Sequence, residues 1–237
     1  MKNTFTALCM LLLICSCSDP KPEGNVHITG NIKGLQSGTL YIQKIVDTAL
    51  VAIDTIQIDG DAHFESHLTI DSPEMYYLFL DRGVTNSLDN NLPVFLEPGN
   101  IHIETELTQY YNKAKIKGSK NHDLYEEYKK SASRFNNQRL LLTEAKIRAL
   151  KKNDVVKLDS IAKATDKVLK RKYLFATNFA LNNRDHEVAP FIALTEIYDI
   201  NLKYLDTIRK SLPPKIAESF YGKKLSAFYK ARTSEEQ

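Results

Sequence analysis

From residue 26 to about residue 116 hydrophobic and polar residues take turns one by one, and from residue 121 onward the apolar ones recur every three or four positions. Strict alternation puts successive side chains on opposite faces of a strand, whereas a recurrence near 3.6 lays them along one stripe of a helix. The pattern therefore predicts a strand-rich piece followed by a helical one. In the first piece Val26, Ile28 and Ile32 alternate with His27, Thr29 and Asn31, and Leu40 and Ile42 follow a turn at Gly34 and Gly38. Ala62, Phe64, Ser66 and Leu68 alternate with His63, Glu65 and His67, which turns Phe64 inward. Thr55-Ile56-Gln57-Ile58, residues 75–80, residues 92–96 and Ile101-His102-Ile103-Glu104 bring the set to seven or eight short strands. Asp59-Gly60 predicts a tight hairpin between the strand ending at Ile58 and the one containing Phe64, because both central positions of such a turn favour positive φ. Glu97-Pro98-Gly99-Asn100 predicts a second turn, placing residues 95–107 in a hairpin.

In the second piece Leu124, Tyr128, Phe135, Leu142, Ile147 and Leu150 mark one long helix. After a break at Asn153-Asp154, Val155, Leu158, Ile161, Val168, Phe175 and Phe179 mark another, ending at Asn182-Asn183. Two long helices with a short break between them predict an antiparallel hairpin. Shorter helices are expected around residues 190–198 and 202–211, and a last one opening at Pro213-Pro214 and carrying Ile216, Phe220, Leu225 and Phe228. The expected fold class is α+β in two modules. An antiparallel β-sandwich or barrel-like sheet covers residues 26–118, and an all-α region built on a helical hairpin covers residues 119–232, with a disordered polar tail over 233–237.

The first 25 residues belong to neither module. Lys2 supplies a short positive segment and residues 5–14 an apolar run of about ten, the layout of a secretory signal. That run is too short to span a bilayer, which takes roughly 20 apolar residues. It ends on Ile14-Cys15-Ser16-Cys17, which resembles a bacterial lipobox, with Ser16 as the small residue before the cut and Cys17 as the acylated residue. Residues 1–16 are then a removable signal peptide, and residues 17–25, with two prolines, a glycine and several charges, are a lipidated cysteine followed by a solvated tether. At about 0.8 kcal/mol per buried CH₂, several acyl chains hold far more firmly than one. The location this implies is the cell envelope, lipid-anchored, on the periplasmic side or at the outer membrane.

Composition then removes chemistries. The only cysteines are Cys9, Cys15 and Cys17, so after cleavage and acylation no thiol remains for redox work. The formal charge is +3 with no basic block, which gives no electrostatic footprint for nucleic acid.

The order of motifs along the strand-rich piece resembles the family DUF4369, a domain of unknown function. The residues that carry the resemblance are Ile28-Thr29-Gly30-Asn31-Ile32-Lys33-Gly34, Leu40-Tyr41-Ile42, Asp54-Thr55-Ile56 leading through Asp59-Gly60 to Phe64, Phe95-Leu96-Glu97-Pro98-Gly99 and Lys117-Gly118-Ser119. The resemblance implies the N-terminal part of an envelope lipoprotein in which a helical region and a thioredoxin-like domain with a Cys-x-x-Cys pair follow. No such pair occurs after Cys17, so the family's redox residues have nothing here to map onto. A thioredoxin-like protein on another chain is accordingly one expected partner.

Other candidate chemistry is sparse. His63 and His67 share a strand face but sit about 13 Å apart at 3.3 Å per residue, too far to hold one ion. His27 and His102 occupy outward positions as well, where they could be cross-strand neighbours. Glu97, Glu104 and Glu106 invite a paired-carboxylate reading, and about 7 Å between Glu104 and Glu106 on a strand would permit it; the chain has no Trp to serve as a sugar platform, and a charged edge explains them better. Gly118-Ser119-Lys120 echoes a phosphate loop without its full pattern, and fits a helix cap at Ser119 or Asn121 instead. Tyr76, Tyr77, Tyr110, Tyr111, Tyr125 and Tyr128 cluster around the sheet and its exit, where core and seam packing explains them first and an exposed partner-binding subset is the alternative. No catalytic residue, cofactor site or metal site is assigned. The expected role is a membrane-anchored, non-catalytic binding or adaptor protein. The alternatives are an accessory or truncated member of a thiol-disulfide system and an enzyme with an unrecognised site.

Overall fold

The computed structural model describes residues 24–83 and 88–235. The signal peptide, Ser16, Cys17 and all but the end of the tether lie outside the described residues. Eight strands follow in order: β1 (Val26–Lys33), β2 (Ser37–Val46), β3 (Ala49–Asp59), β4 (His63–Leu68), β5 (Glu74–Asp81), β6 (Asn91–Leu96), β7 (Gly99–Glu106) and β8 (Lys115–Lys117). They form two four-stranded sheets, ordered β4-β1-β7-β8 and β3-β2-β5-β6, which face each other without closing into a barrel. The alternation fixes what lies between them. Val26, Ile28, Ile32, Phe64, Ile101 and Ile103 from the first sheet meet Leu40, Ile42, Leu78, Leu80 and Val94 from the second in one buried core.

Pairing is antiparallel throughout except between β1 and β7, which run parallel from Val26 opposite Gly99 to Lys33 opposite Glu106. A parallel pair needs a long crossover, and here the second sheet supplies it: the chain leaves β1, builds β2 and β3, returns for β4, builds β5 and β6, and returns for β7 and β8. Both turns read as hairpins are therefore crossings between sheets. At Asp59-Gly60 only the glycine takes positive φ, +81°. The Gly60 N–H donates to the Gln36 carbonyl (2.8 Å) and the Ile32 N–H to the Ala62 carbonyl (3.0 Å), so this turn is tied to the β1–β2 connection. The segment after Glu97 likewise leaves the second sheet for β7 in the first. Among the described residues a tight hairpin falls at Asp47-Thr48, between β2 and β3, where Asp47 takes φ +56°.

Six helices complete the chain: α1 (Lys120–Lys151), α2 (Val155–Asn182), α3 (Val188–Glu196), α4 (Leu202–Ser211), α5 (Pro214–Ala217) and α6 (Phe220–Glu235). The helices α1 and α2 form the expected hairpin. Asn153 turns with φ +49° and the Asp154 carboxylate accepts from the Lys157 N–H at 3.0 Å, capping α2. The helices meet through aromatic rings, Tyr128 on Phe179 (5.1 Å) and Phe135 on Phe175 (5.7 Å). Helix α3, apolar on nearly every side, is enclosed by the others. The single last helix expected from Pro213 onward is instead two. Ser219 donates from its buried hydroxyl to the Ile216 carbonyl (2.7 Å) and accepts from the Gly222 N–H (3.4 Å), stopping α5 and starting α6. Helix α6 continues through Glu235, with Thr233 and Ser234 bonded back to Tyr229 and Lys230, so residues 233–235 are helical rather than a loose tail.

The helices cover the outer face of the second sheet, giving three layers. Met75 on β5 and Phe95 on β6, opposite each other, point away from the sandwich into the helical core. This explains the nearly unbroken apolar run of β6, whose two faces are both buried.

Candidate functional site

The joint between sheet and helices uses one of the three candidate carboxylates, Glu97. Glu97, just past β6, accepts from the backbone N–H groups of Lys120 (2.6 Å) and Asn121 (3.2 Å) and from the Asn121 amide (2.7 Å). Its carboxylate sits at the positive end of α1, where an anion would otherwise bind. Ser119 caps the same helix by accepting from the His122 N–H at 3.0 Å, so Gly118-Ser119-Lys120 is a strand-to-helix turn and its phosphate place is filled. Buried Asn121 also donates to Glu187 (3.1 Å) and accepts from the Val188 N–H (2.9 Å), binding α1 to the start of α3.

Next to it, His122 is nearly enclosed and its Nδ1 accepts from the Phe95 N–H at 3.3 Å. Burial pushes its imidazole below the usual histidine range, helped by Lys129, while Glu126 and Asp123 pull the other way. The sign follows. Below about pH 6.5 an unfolded chain takes up a proton that the folded one resists, so the folded state loses stability as pH falls, by at most about 1.4 kcal/mol per pH unit. Urea midpoints measured at pH 7.5 and 5.5 should drop more for the wild type than for His122→Asn, which keeps an acceptor for Phe95 and cannot titrate; equal drops would refute the assignment.

The outer face of the first sheet is the second polar concentration. It carries His27, Thr29 and Asn31 from β1, His63, Glu65 and His67 from β4, and His102 and Glu104 from β7. Register decides who meets whom. His27 lies opposite His67, with the rings stacked at 4.3 Å and 7° between planes. Both rings direct Nε2 at the same Glu65 oxygen, at 2.7 and 3.0 Å. His102 is not the cross-strand neighbour of His27 but lies opposite Thr29, on the outward face, and bonds to its hydroxyl (3.0 Å) and to Glu104 (3.3 Å). His63 bonds to Asp61 (2.7 Å) and Asn31 (2.9 Å). His63 and His67 thus join different groups, in keeping with their separation along β4.

Glu106 pairs with Lys113 at 2.8 Å, and that hydrogen bond holds its carboxyl below the usual range, the wrong direction for a general acid. Of the six candidate tyrosines around the sheet and its exit, Tyr76 and Tyr110 lie in the sandwich core, Tyr128 in the helical core, and Tyr77 and Tyr125 against it. Tyr111 alone of them is exposed, with the Lys129 ammonium 3.4 Å from its hydroxyl.

One feature escaped the alternation test. Beyond Lys44, where β5 stops pairing with β2, the β2–β3 ribbon runs on without sheet neighbours on that side. A bulge at Ile42/Gln43 leaves Ile53 without an opposite residue. Ile45, Val46, Leu50, Val51 and Ile53 are each 41–47% exposed on this arm. The run Ala49-Leu50-Val51-Ala52-Ile53 was the available signal, an apolar stretch too long for a half-buried strand.

Residues 26–125 match the family model of the domain of unknown function DUF4369, a span that takes in all eight strands and the first six residues of α1. No curated protein matches the chain.

Proposed function

We propose that this chain, whose residues 26–125 form a DUF4369 domain, is a lipid-anchored protein of the bacterial cell envelope that binds a partner and performs no chemistry of its own. The anchor rests on Ile14-Cys15-Ser16-Cys17 behind an apolar segment. No helix among the described residues is long and apolar enough to cross a membrane. The observation that carries the binding role is the β2–β3 arm: five large aliphatic side chains on an outer ribbon of the second sheet, where water gains nothing by their exposure. β3 is an edge strand with free backbone groups along one side, the kind of surface to which a partner adds a strand or an apolar face. Of the candidate carboxylates, Glu97 is engaged in a helix cap, Glu104 with His102 and Glu106 with Lys113.

Two measurements test the reading. Metabolic labelling with a fatty-acid probe should tag the wild type and leave Cys17→Ala untagged; equal labelling would remove the anchor. Envelope proteins retained by the immobilised wild type should be lost when Leu50 and Ile53 are both changed to lysine, and an unchanged set would remove the arm as the binding surface.

A further inference from the structure

We propose that His27, Glu65 and His67 form a binding site for a divalent transition-metal ion of the Zn²⁺ type. The site is on the outer face of the first sheet, away from the β2–β3 arm, and independent of the adaptor reading. Three side chains from two adjacent strands converge there, and each offers one ligand atom within 4.8 Å of the other two. The backbone does the positioning: His27 is directly opposite His67, and Glu65 is opposite Thr29, one outward position along. The two imidazoles are partly sheltered, 36% and 22% exposed, and their shared contact with one Glu65 oxygen puts both Nε2 atoms on the same side of the pair.

Tetrahedral zinc with bonds of 2.0–2.2 Å holds its ligand atoms about 3.3 Å apart. For an ion to sit among the three, the Glu65 oxygen, at 2.7 and 3.0 Å from the two nitrogens, withdraws by a few tenths of an ångström, and the two stacked rings turn out of parallel so that both Nε2 lone pairs point at the ion. The first movement is a rotation of an exposed glutamate, and the second a rotation of two part-exposed side chains on an outer sheet face. Two imidazoles and one carboxylate are a donor set for zinc, copper or nickel rather than for calcium or magnesium, which take oxygen ligands. Binding replaces the imidazole protons that now face Glu65 and leaves at least one coordination position to water. His63 and His102 lie on the same face but are bonded to Asp61 and to Thr29 and Glu104, so they do not complete the set. The ion would fasten β4, an edge strand, to β1 near the point where the chain enters the fold.

The test uses the full chain in detergent, without a histidine tag, with Cys9, Cys15 and Cys17 changed to serine so that no thiol competes. After EDTA treatment and equilibrium dialysis against zinc, one ion per chain is expected. Affinity should fall by about tenfold or more in His27→Gln and in His67→Gln, and stay unchanged in His63→Gln and His102→Gln. Cobalt should give a visible d–d band that the first two variants lack. Each variant melts in EDTA as a folding control, since these side chains lie outside the core. No saturable zinc uptake, or uptake unaffected by both His27→Gln and His67→Gln, overturns the site.

Discussion

Replacing Phe95 by alanine should cost about 3–5 kcal/mol, the range for emptying a fully buried phenylalanine site. Phe95 has no exposed surface and is the side chain through which the second sheet enters the helical core. Its ring meets Phe191 edge-on at 5.6 Å and Tyr221 at 5.9 Å. The Tyr221 hydroxyl in turn accepts the Met75 N–H at 3.0 Å, so the void would open beside a hydrogen bond that crosses the same joint. The surroundings have little freedom to collapse, because Tyr221 is held by that bond and Phe191 lies on the enclosed α3. Urea unfolding followed by far-ultraviolet circular dichroism gives the value, and a loss under about 1 kcal/mol would mean that the joint repacks easily.

A second loss of about 3–5 kcal/mol is expected for Phe64→Ala, in a different core. Phe64 lies in the sandwich, and its ring lies over Gly30 on β1. A methyl group on Gly30 would overlap both that ring and the Ile103 carbonyl oxygen of β7. The glycine is what lets an aromatic ring fit between the strands. Gly30→Ala in the Phe64→Ala background relieves only half of the conflict, since the backbone oxygen remains, so the double variant should unfold at lower urea than Phe64→Ala alone. If the added methyl instead restores stability, the close approach of β1 and β7 is not what the pairing indicates.

The two sites differ in how far the sequence reveals them. Phe64 is readable: it alternates with His63 and Glu65, and alternation states which face a residue takes. Phe95 is harder, because Val94, Phe95 and Leu96 are all apolar and a strand buried on both faces has no alternation left to read. Strand partnership was the larger gap. Val26, Ile28 and Ile32 would look the same whether β1 paired with β2 or, as it does, lay between β4 and β7. Asp59-Gly60 announces a change of direction but not the sheet that receives the next strand. The same ignorance of register hid the meeting of His27, Glu65 and His67, which are neighbours only once β1 is set against β4. Glu97 resembled an edge charge because its function lies in Lys120 and Asn121, more than twenty positions later. The two long helices were legible for the opposite reason: their stripes are local, and the connection between them is three residues.

The position of β1 also governs the order in which the chain can fold. As the polypeptide emerges from its N-terminus, β1 appears first, yet one of its two neighbours, β7, comes some seventy residues later by the register of Val26 with Gly99. The second sheet can be whole once Leu96 is available, whereas the first must wait for β7 and β8, and α1 cannot receive its Glu97 cap until Lys120 has followed. A pairing of such sequence separation has to overcome loop-closure entropy before it yields any contact, which makes it slow compared with the α1–α2 hairpin. Until residues 99–106 have emerged, β1 lacks one of its two neighbours and its apolar side chains have no complete sheet to cover them, so protection from aggregation depends on how soon those residues follow.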